Sequence, residues 1–184
     1  VGQAVGRRLA PFEVEVSLVG RTARPGVLAR EHLPELLPTA DVVVLFLGLP
    51  ASHESEGYDR THIALPAHQV DLLRAVADAN PRVAVVLSNG SVVSVEPWAD
   101  RAQAVLEGWL LGQAGGSATA DLLLGATSPS GRLAETIPQR LEHNPAHGAF
   151  PGALGHVAYG EGLLIGYRWY DTHRLPVAYP FGHG

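Results

Sequence analysis

The sequence predicts an α/β fold: a three-layer α/β/α sandwich around a mostly parallel sheet, followed by long C-terminal loops. Three observations predict it. Val42–Leu47 and Val83–Leu87 are short apolar runs rich in β-branched residues and bounded by turn formers, as strands covered on both faces are. Between them, Leu65, Val70, Leu72, Leu73, Val76 and Ala77 recur at helical spacing. After Ala126 the periodicity gives way to segments rich in Pro, Gly, His and Asn.

In chain order, Val1, Val5 and Leu9 suit a short amphipathic helix ended by Pro11. Val14, Val16 and Leu18 alternate with polar residues, the pattern of a half-buried strand. Arg21–Gly26 is turn-rich, and Glu31–Leu37 has room for one or two helical turns between prolines. Val42–Leu47 reads as a buried, central strand closed by Gly48 and Pro50. Pro66 suits the first turn of the next helix, and Asn80-Pro81 stops it. Val83–Leu87 is the second buried strand; Val92, Val93 and Val95 extend it or form a neighbouring segment. Ala104–Leu111 is a third apolar run, and Ser117–Leu124 a helix ended by Gly125. Alternating strands and helices imply a parallel sheet with helices on both faces.

Composition narrows the function classes. The 184 residues, 46% apolar and 17% charged, suit one domain with a real core. Net charge is −5 and the thirteen basic residues are scattered, which speaks against nucleic acid as a partner. No apolar run approaches the ~18 residues of a membrane span, so no membrane partner is expected. Without cysteine there is no disulfide or thiol chemistry, and the compartment stays open between cytoplasmic and secreted, with no signal-peptide pattern visible. Without methionine, residue 1 is no translation start, and the chain is expected to be a piece of a longer protein.

The densest chemistry is His53-Glu54-Ser55-Glu56-Gly57-Tyr58-Asp59-Arg60, just past the carboxyl end of the first apolar strand, where open α/β sheets bind ligands. A glycosidase needs two carboxyl groups about its scissile bond, one of them a protonated acid, and clustered carboxylates raise one another's pKa. The plainer alternative is a solvated acidic loop. Gly112-Gln113-Ala114-Gly115-Gly116 precedes a helix but matches neither dinucleotide nor P-loop patterns, so a close-packed helix entry is the simpler reading. The nine histidines show no H-E-x-x-H and no i, i+4 pair on a convincing helix, so no metal is expected. Ser88 and Ser91 lie in no G-x-S-x-G elbow. Asn89-Gly90-Ser91 fits a glycosylation sequon, a pattern too common to use alone. Tyr159–Gly162 and Gly166–Asp171 mix aromatics and charges as sugar sites do, and as packed loops do.

Read together, the pieces resemble the C-terminal α/β-sandwich domain of glycoside hydrolase family 3, the β-glucosidase family. They are Glu54–Arg60, Leu65–Gln69, Asn80-Pro81, Trp109–Gly116, Pro129–Leu133, Thr136–Pro138, Tyr159–Gly162, Gly166–Asp171 and Pro180–Gly184. They cover about Asp41 to Gly184, in order and with matching gaps. Glu54–Arg60 is most similar to members with a PA14 insertion in this domain. The resemblance implies a retaining, exo-acting enzyme that releases a terminal β-linked sugar, usually glucose. Its nucleophile would be an aspartate of an N-terminal (β/α)₈ barrel, the partner this domain requires. The general acid/base would be Glu56, with Glu54 the runner-up two positions away. Tyr58, Asp59 and Arg60 would bind substrate or brace the loop, and Glu161 and Arg168 would be structural. No cofactor is implied. The family's usual first strand and its barrel do not precede Val1, so residues 1–184 are expected to be an incomplete second domain. The rivals are a relative acting on another sugar (xylose, arabinose or N-acetylglucosamine), a non-catalytic sugar-binding or packing module, and a flavodoxin-like domain, which lacks its phosphate loop here. Oligomeric state stays open, a homo-oligomer included.

Overall fold

A computed structural model describes Val5 and residues 15–184. Of the helix expected over Val1–Leu9 only Val5, helical and buried, is among the described residues, and Val14 is not.

The centre is a parallel three-stranded sheet of β3 (Val43–Gly48), β4 (Val83–Ser88) and β5 (Ala104–Glu107), in that spatial order. Register runs Val43 opposite Val83 and Ala84 opposite Ala104. Two short pairs stand apart from it. β1 (Val19–Gly20) runs parallel to β2 (Leu28–Ala29), and β6 (Ile137–Pro138) antiparallel to β7 (Val177–Tyr179). The α-helices bounded within the described residues are α1 (Leu33–Leu36), α2 (Ala67–Ala79), α3 (Gly115–Leu123) and α4 (Tyr167–His173).

The core forms where α2 meets the sheet. Leu73 and Val76 of α2 cluster with Val83, Val85 and Leu87 of β4, and with Leu47, Val93, Val95 and Trp98. Complete burial of a side chain such as Leu73, 0% exposed, contributes about 1.5–3 kcal/mol. Side chains alternate along a strand, so Val86 points away from Val83, Val85 and Leu87. It too is buried, and both faces of β4 are therefore covered.

Two expectations are corrected here. β3 is not the central strand. Among the described residues it pairs with β4 alone and forms the sheet's edge, with Val42 59% and Phe46 39% exposed. An apolar run reports affinity for a core but not its number of neighbours, and the central place belongs to β4. The second correction is that the alternation in Glu15–Leu18 gives no strand, β1 starting only at Val19. Of the two readings for Val92–Val95 the neighbouring segment holds: they do not extend β4, and Val93 and Val95 are buried in irregular chain, tied to the rest by the bond from Ser94 N–H to the Ile63 carbonyl (2.6 Å).

The stop at Asn80 holds. Its side chain is buried, donates to the carbonyls of Leu37 and Ala40 (both 2.8 Å) and accepts the Arg82 N–H (2.9 Å). That one residue ends α2 and ties it to the turns before β3. At the other end of α2, Gln69 accepts the Gly48 N–H (2.9 Å) and donates to the Gly48 carbonyl (2.8 Å). A Cβ on Gly48 would stand 2.0 Å from the Ser88 carbonyl oxygen, so only glycine fits where β3 gives way to the acidic loop. The loop's point of departure is thus fixed to both α2 and β4.

Candidate active site

Three segments meet at the carboxyl end of the sheet: the loop after β3, the turn Ser88–Ser91 after β4, and Glu107 at the end of β5. The first begins with a tight turn, His53 and Glu54 both donating backbone N–H to the Pro50 carbonyl (2.8 and 3.1 Å). That turn aims Glu54 inward. Its Oε2 accepts the Gly90 N–H at 2.6 Å, and its Oε1 accepts the Ser91 hydroxyl at 2.8 Å. Arg60, at the far end of the loop, donates from Nη2 to Ser91 Oγ (2.7 Å) and to the Val92 carbonyl (2.9 Å). Glycine at position 90 leaves room for the carboxylate, since a Cβ there would lie 3.1 Å from Glu54 Cδ.

Between these anchors the loop projects. Glu56, Tyr58 and Asp59 are exposed, and Gly57 takes φ +76°, a conformation suited to glycine. Among the described residues Glu56 makes no side-chain hydrogen bond or ion pair. The structure therefore separates two glutamates that the sequence leaves two positions apart: Glu54 is clamped and Glu56 stands free. Asp59 is exposed too and makes no side-chain hydrogen bond or ion pair among the described residues, whereas Arg60 ties the loop to Ser91 and Val92. A second nitrogen of Arg60, Nη1, is buried without a protein partner in the described residues. Arg60 and Ser91 also line a groove of about 510 Å³, with Thr136, Tyr167 and Phe181 across it.

The expectation that clustering raises these carboxyl groups fails at Glu54. Burial works against its charge, but the Gly90 N–H, the Ser91 hydroxyl and the Arg60 guanidinium outweigh it and hold the carboxyl below its ordinary 4.5. The raised group is Glu107, which the sequence reading did not single out. Burial pushes its carboxyl up and the charge of Glu54 adds to that, against the bonds from Trp109 N–H and the Asn89 amide. The two groups act on stability with opposite signs. The lowered Glu54 stabilises the fold in full above its ordinary 4.5, and that contribution is lost as pH falls below it. The raised Glu107 contributes most at low pH, and this is lost as pH rises from 4.5 through its raised value. Denaturant midpoints followed from pH 3 to 7 should show the acid-side loss flattened in Glu54→Gln; an unaltered acid-side slope would contradict the clamp.

The remaining motifs resolve structurally. Asn89 of the sequon is 0% exposed and bonded internally, so its amide is not available for glycosylation in this fold. Gly115 and Gly116 are buried at the start of α3, where a Cβ on Gly115 would meet Leu111 at 2.5 Å, a close-packed helix entry. His53 and His62 meet edge to face at 5.9 Å, but no group of three metal-ligating side chains assembles among the described residues. The Arg168 guanidinium lies 5.7 Å from the ring centre of Tyr167.

Comparison with known proteins places this geometry. The model of the glycosyl hydrolase family 3 C-terminal domain matches residues 28–184. The chain belongs to glycosyl hydrolase family 3. It is 55% identical over 150 residues to an exo-α-(1→6)-L-arabinopyranosidase of Bifidobacterium longum, covering 82% of this chain and 20% of that protein. To thermostable β-glucosidase B of Acetivibrio thermocellus it is 51% identical over 146 residues, 79% of this chain and 19% of the other. Among solved structures, the family 3 β-glucosidase of Bifidobacterium adolescentis superposes with a TM-score of 0.84 at 47% identity, over 96% of this chain and 27% of that one. The β-glucosidase of Kluyveromyces marxianus in complex with glucose gives a TM-score of 0.78 at 40% identity, over 84% and 18%. The chain spans about a fifth of the length of the curated relatives it matches. The family 3 domain thus carries an α/β fold with parallel strands, as its sequence predicts, and its named relatives are glycosidases.

Proposed function

We propose that this chain is the second domain of a retaining, exo-acting glycosidase acting on terminal β-D-glucosides, and that Glu56 is its general acid/base. The observation that carries the assignment is the contrast between the two glutamates. A general acid has to be unclaimed when the substrate arrives, and it has to reach that substrate protonated. Glu54 is spent on Gly90 and Ser91 and held below the ordinary carboxylate range, which suits a brace. Glu56 lies on the exposed crest of the braced loop.

In the intact enzyme an aspartate of an N-terminal (β/α)₈ barrel attacks the anomeric carbon while Glu56 gives its proton to the leaving oxygen. Water then attacks the glycosyl-enzyme, Glu56 takes its proton, and the aspartate leaves as a carboxylate. Retention calls for a partner carboxylate roughly 5 Å from Glu56, which lies outside these residues. We further propose that the complete domain is a three-layer α/β/α sandwich with a mostly parallel sheet, and that the wording of Glu54–Arg60 groups it with the PA14-bearing members.

A second sugar has a specific observation in its favour, the 55% identity to an enzyme named for L-arabinopyranose. Both an α-L-arabinopyranoside and a β-D-glucoside hold their aglycone equatorial, so the same proton donor serves either. Nitrophenyl β-D-glucoside, α-L-arabinopyranoside, β-D-xyloside and N-acetyl-β-D-glucosaminide, offered to the intact protein, separate these readings. Turnover of the glucoside above the others, with the first-formed sugar retaining its configuration by proton NMR, is expected. Preference for the arabinopyranoside would move the substrate class, and inversion or no turnover would refute the function.

A further inference from the structure

Glu107 is a partly buried carboxyl group that the chemistry above does not use. It ends β5, and both of its oxygens are occupied. Oε1 accepts the Trp109 N–H at 2.8 Å and Oε2 accepts Asn89 Nδ2 at 3.3 Å. Trp109 takes φ +51°, a left-handed conformation uncommon outside glycine, so the carboxylate secures a strained turn. Asn89 is wholly buried and gives its other amide hydrogen to the Ser91 carbonyl at 3.0 Å. Ser91 in turn gives its hydroxyl to Glu54, and Gly90 its N–H. An unbroken run of hydrogen bonds therefore leads from the end of β5, through the turn after β4, to the anchor of the acidic loop. Charged neighbours are few. Glu54 faces Glu107 from the loop after β3, with Arg60 beyond it, and no other charged side chain among the described residues is bonded to it.

We propose that Glu107 is a positioning residue for the acid/base loop: through Asn89 and the Ser88–Ser91 turn it sets the Glu54 clamp and, through that, the place of Glu56. The proposal rests on the reading of Glu56 as acid/base. Its basis is hydrogen-bond polarity. Both partners of Glu107 are N–H donors, so the position needs two acceptors. A glutamine offers one acceptor and one donor. If its oxygen faces Trp109, its amide hydrogens face those of Asn89. Asn89 can answer by turning over, but its Nδ2 then leaves the Ser91 carbonyl. One link breaks in either case, with almost no change in volume.

Glu107→Gln in the intact protein tests this, with kcat/KM read on an alkyl glucoside and on a dinitrophenyl glucoside. For the alkyl substrate, which needs its leaving oxygen protonated, kcat/KM is expected to fall on the order of ten- to a hundredfold. For the dinitrophenyl substrate it should stay within about twofold, since that aglycone leaves unaided. Combined with Glu56→Gln, Glu107→Gln should add no further loss, because its effect passes through the missing acid. Equal losses on both substrates, or losses that multiply in the double variant, would overturn the proposal and leave Glu107 a purely structural residue. Should Glu107→Gln not fold, Ser91→Ala breaks the same run nearer Glu54 and carries the same expectations. Leaving-group dependence in Glu56→Gln without it in Glu107→Gln refutes only the role of Glu107. Its absence in Glu56→Gln refutes the acid/base reading itself.

Discussion

Glu56→Gln in the intact enzyme should lower kcat/KM for alkyl glucosides by roughly 10²–10⁴-fold, the usual contribution of a positioned proton donor. For dinitrophenyl glucosides kcat/KM should scarcely change. That ratio reports events up to the first irreversible step, which here is cleavage of a bond whose leaving group needs no proton. Release of the sugar still needs a base, so kcat on the activated substrate should drop while KM drops with it, as the glycosyl-enzyme accumulates. Because Glu56 is exposed and unbonded in this domain, stability should stay within about 0.5 kcal/mol of the parent, as for surface substitutions generally. A loss of kcat/KM equal on both substrates would mean that Glu56 does something other than give a proton.

The second large effect belongs to Glu54, and its sign pattern differs. Glu54→Ala leaves the Gly90 N–H and the Ser91 hydroxyl without their acceptor and removes the charge facing Arg60. Charge-assisted bonds contribute about 1.5–3 kcal/mol each where buried, and partial exposure reduces that, so a loss of about 2 kcal/mol for the pair is expected. Activity should fall with it, since the loop that carries Glu56 loses its inner anchor. Glu54→Gln should recover most of both. The amide oxygen still accepts from Gly90, and the Ser91 hydroxyl can rotate to accept from the amide nitrogen. An acid/base shows the opposite behaviour, because glutamine carries no transferable proton and is as inert there as alanine. Denaturation midpoints and alkyl-glucoside kinetics on the two variants distinguish brace from acid. Full inactivity of Glu54→Gln, with its stability intact, would transfer the acid/base role to Glu54.

Much of this was legible in the sequence, for reasons that can be named. α2 was readable because Leu73 and Val76 lie on one helical face between Pro66 and Asn80, local signals that no neighbour overrides. β4 was readable because it is apolar on both faces and is in fact covered on both. The place of β3 was not, because edge or centre is a property of pairing partners. Val93 and Val95 left two readings open, an extension of β4 or a neighbouring segment, because a buried irregular segment can carry the same apolar residues as a strand.

At the site, the acidic loop was visible as a cluster, but the residues alone did not separate Glu54 from Glu56; only the family resemblance ranked Glu56 first. Two residues apart in an extended chain point alike. The turn closed onto the Pro50 carbonyl breaks that equivalence, and it was not read from the residues. Glu107 passed unnoticed because a glutamate at the end of a strand usually faces water. The available hint was its place after Ala104–Leu106, at the same carboxyl edge as the loop.

Azide offered to Glu56→Ala tests the central claim most directly. With a dinitrophenyl glucoside as donor, azide should restore turnover in a concentration-dependent way, attacking the glycosyl-enzyme without help from a base, and the product should be the glucosyl azide of retained β configuration. Glu54→Ala should gain far less from azide, since its base, though less firmly held, is still present. Failure of azide to rescue Glu56→Ala, or rescue of Glu54→Ala instead, would contradict the assignment of Glu56.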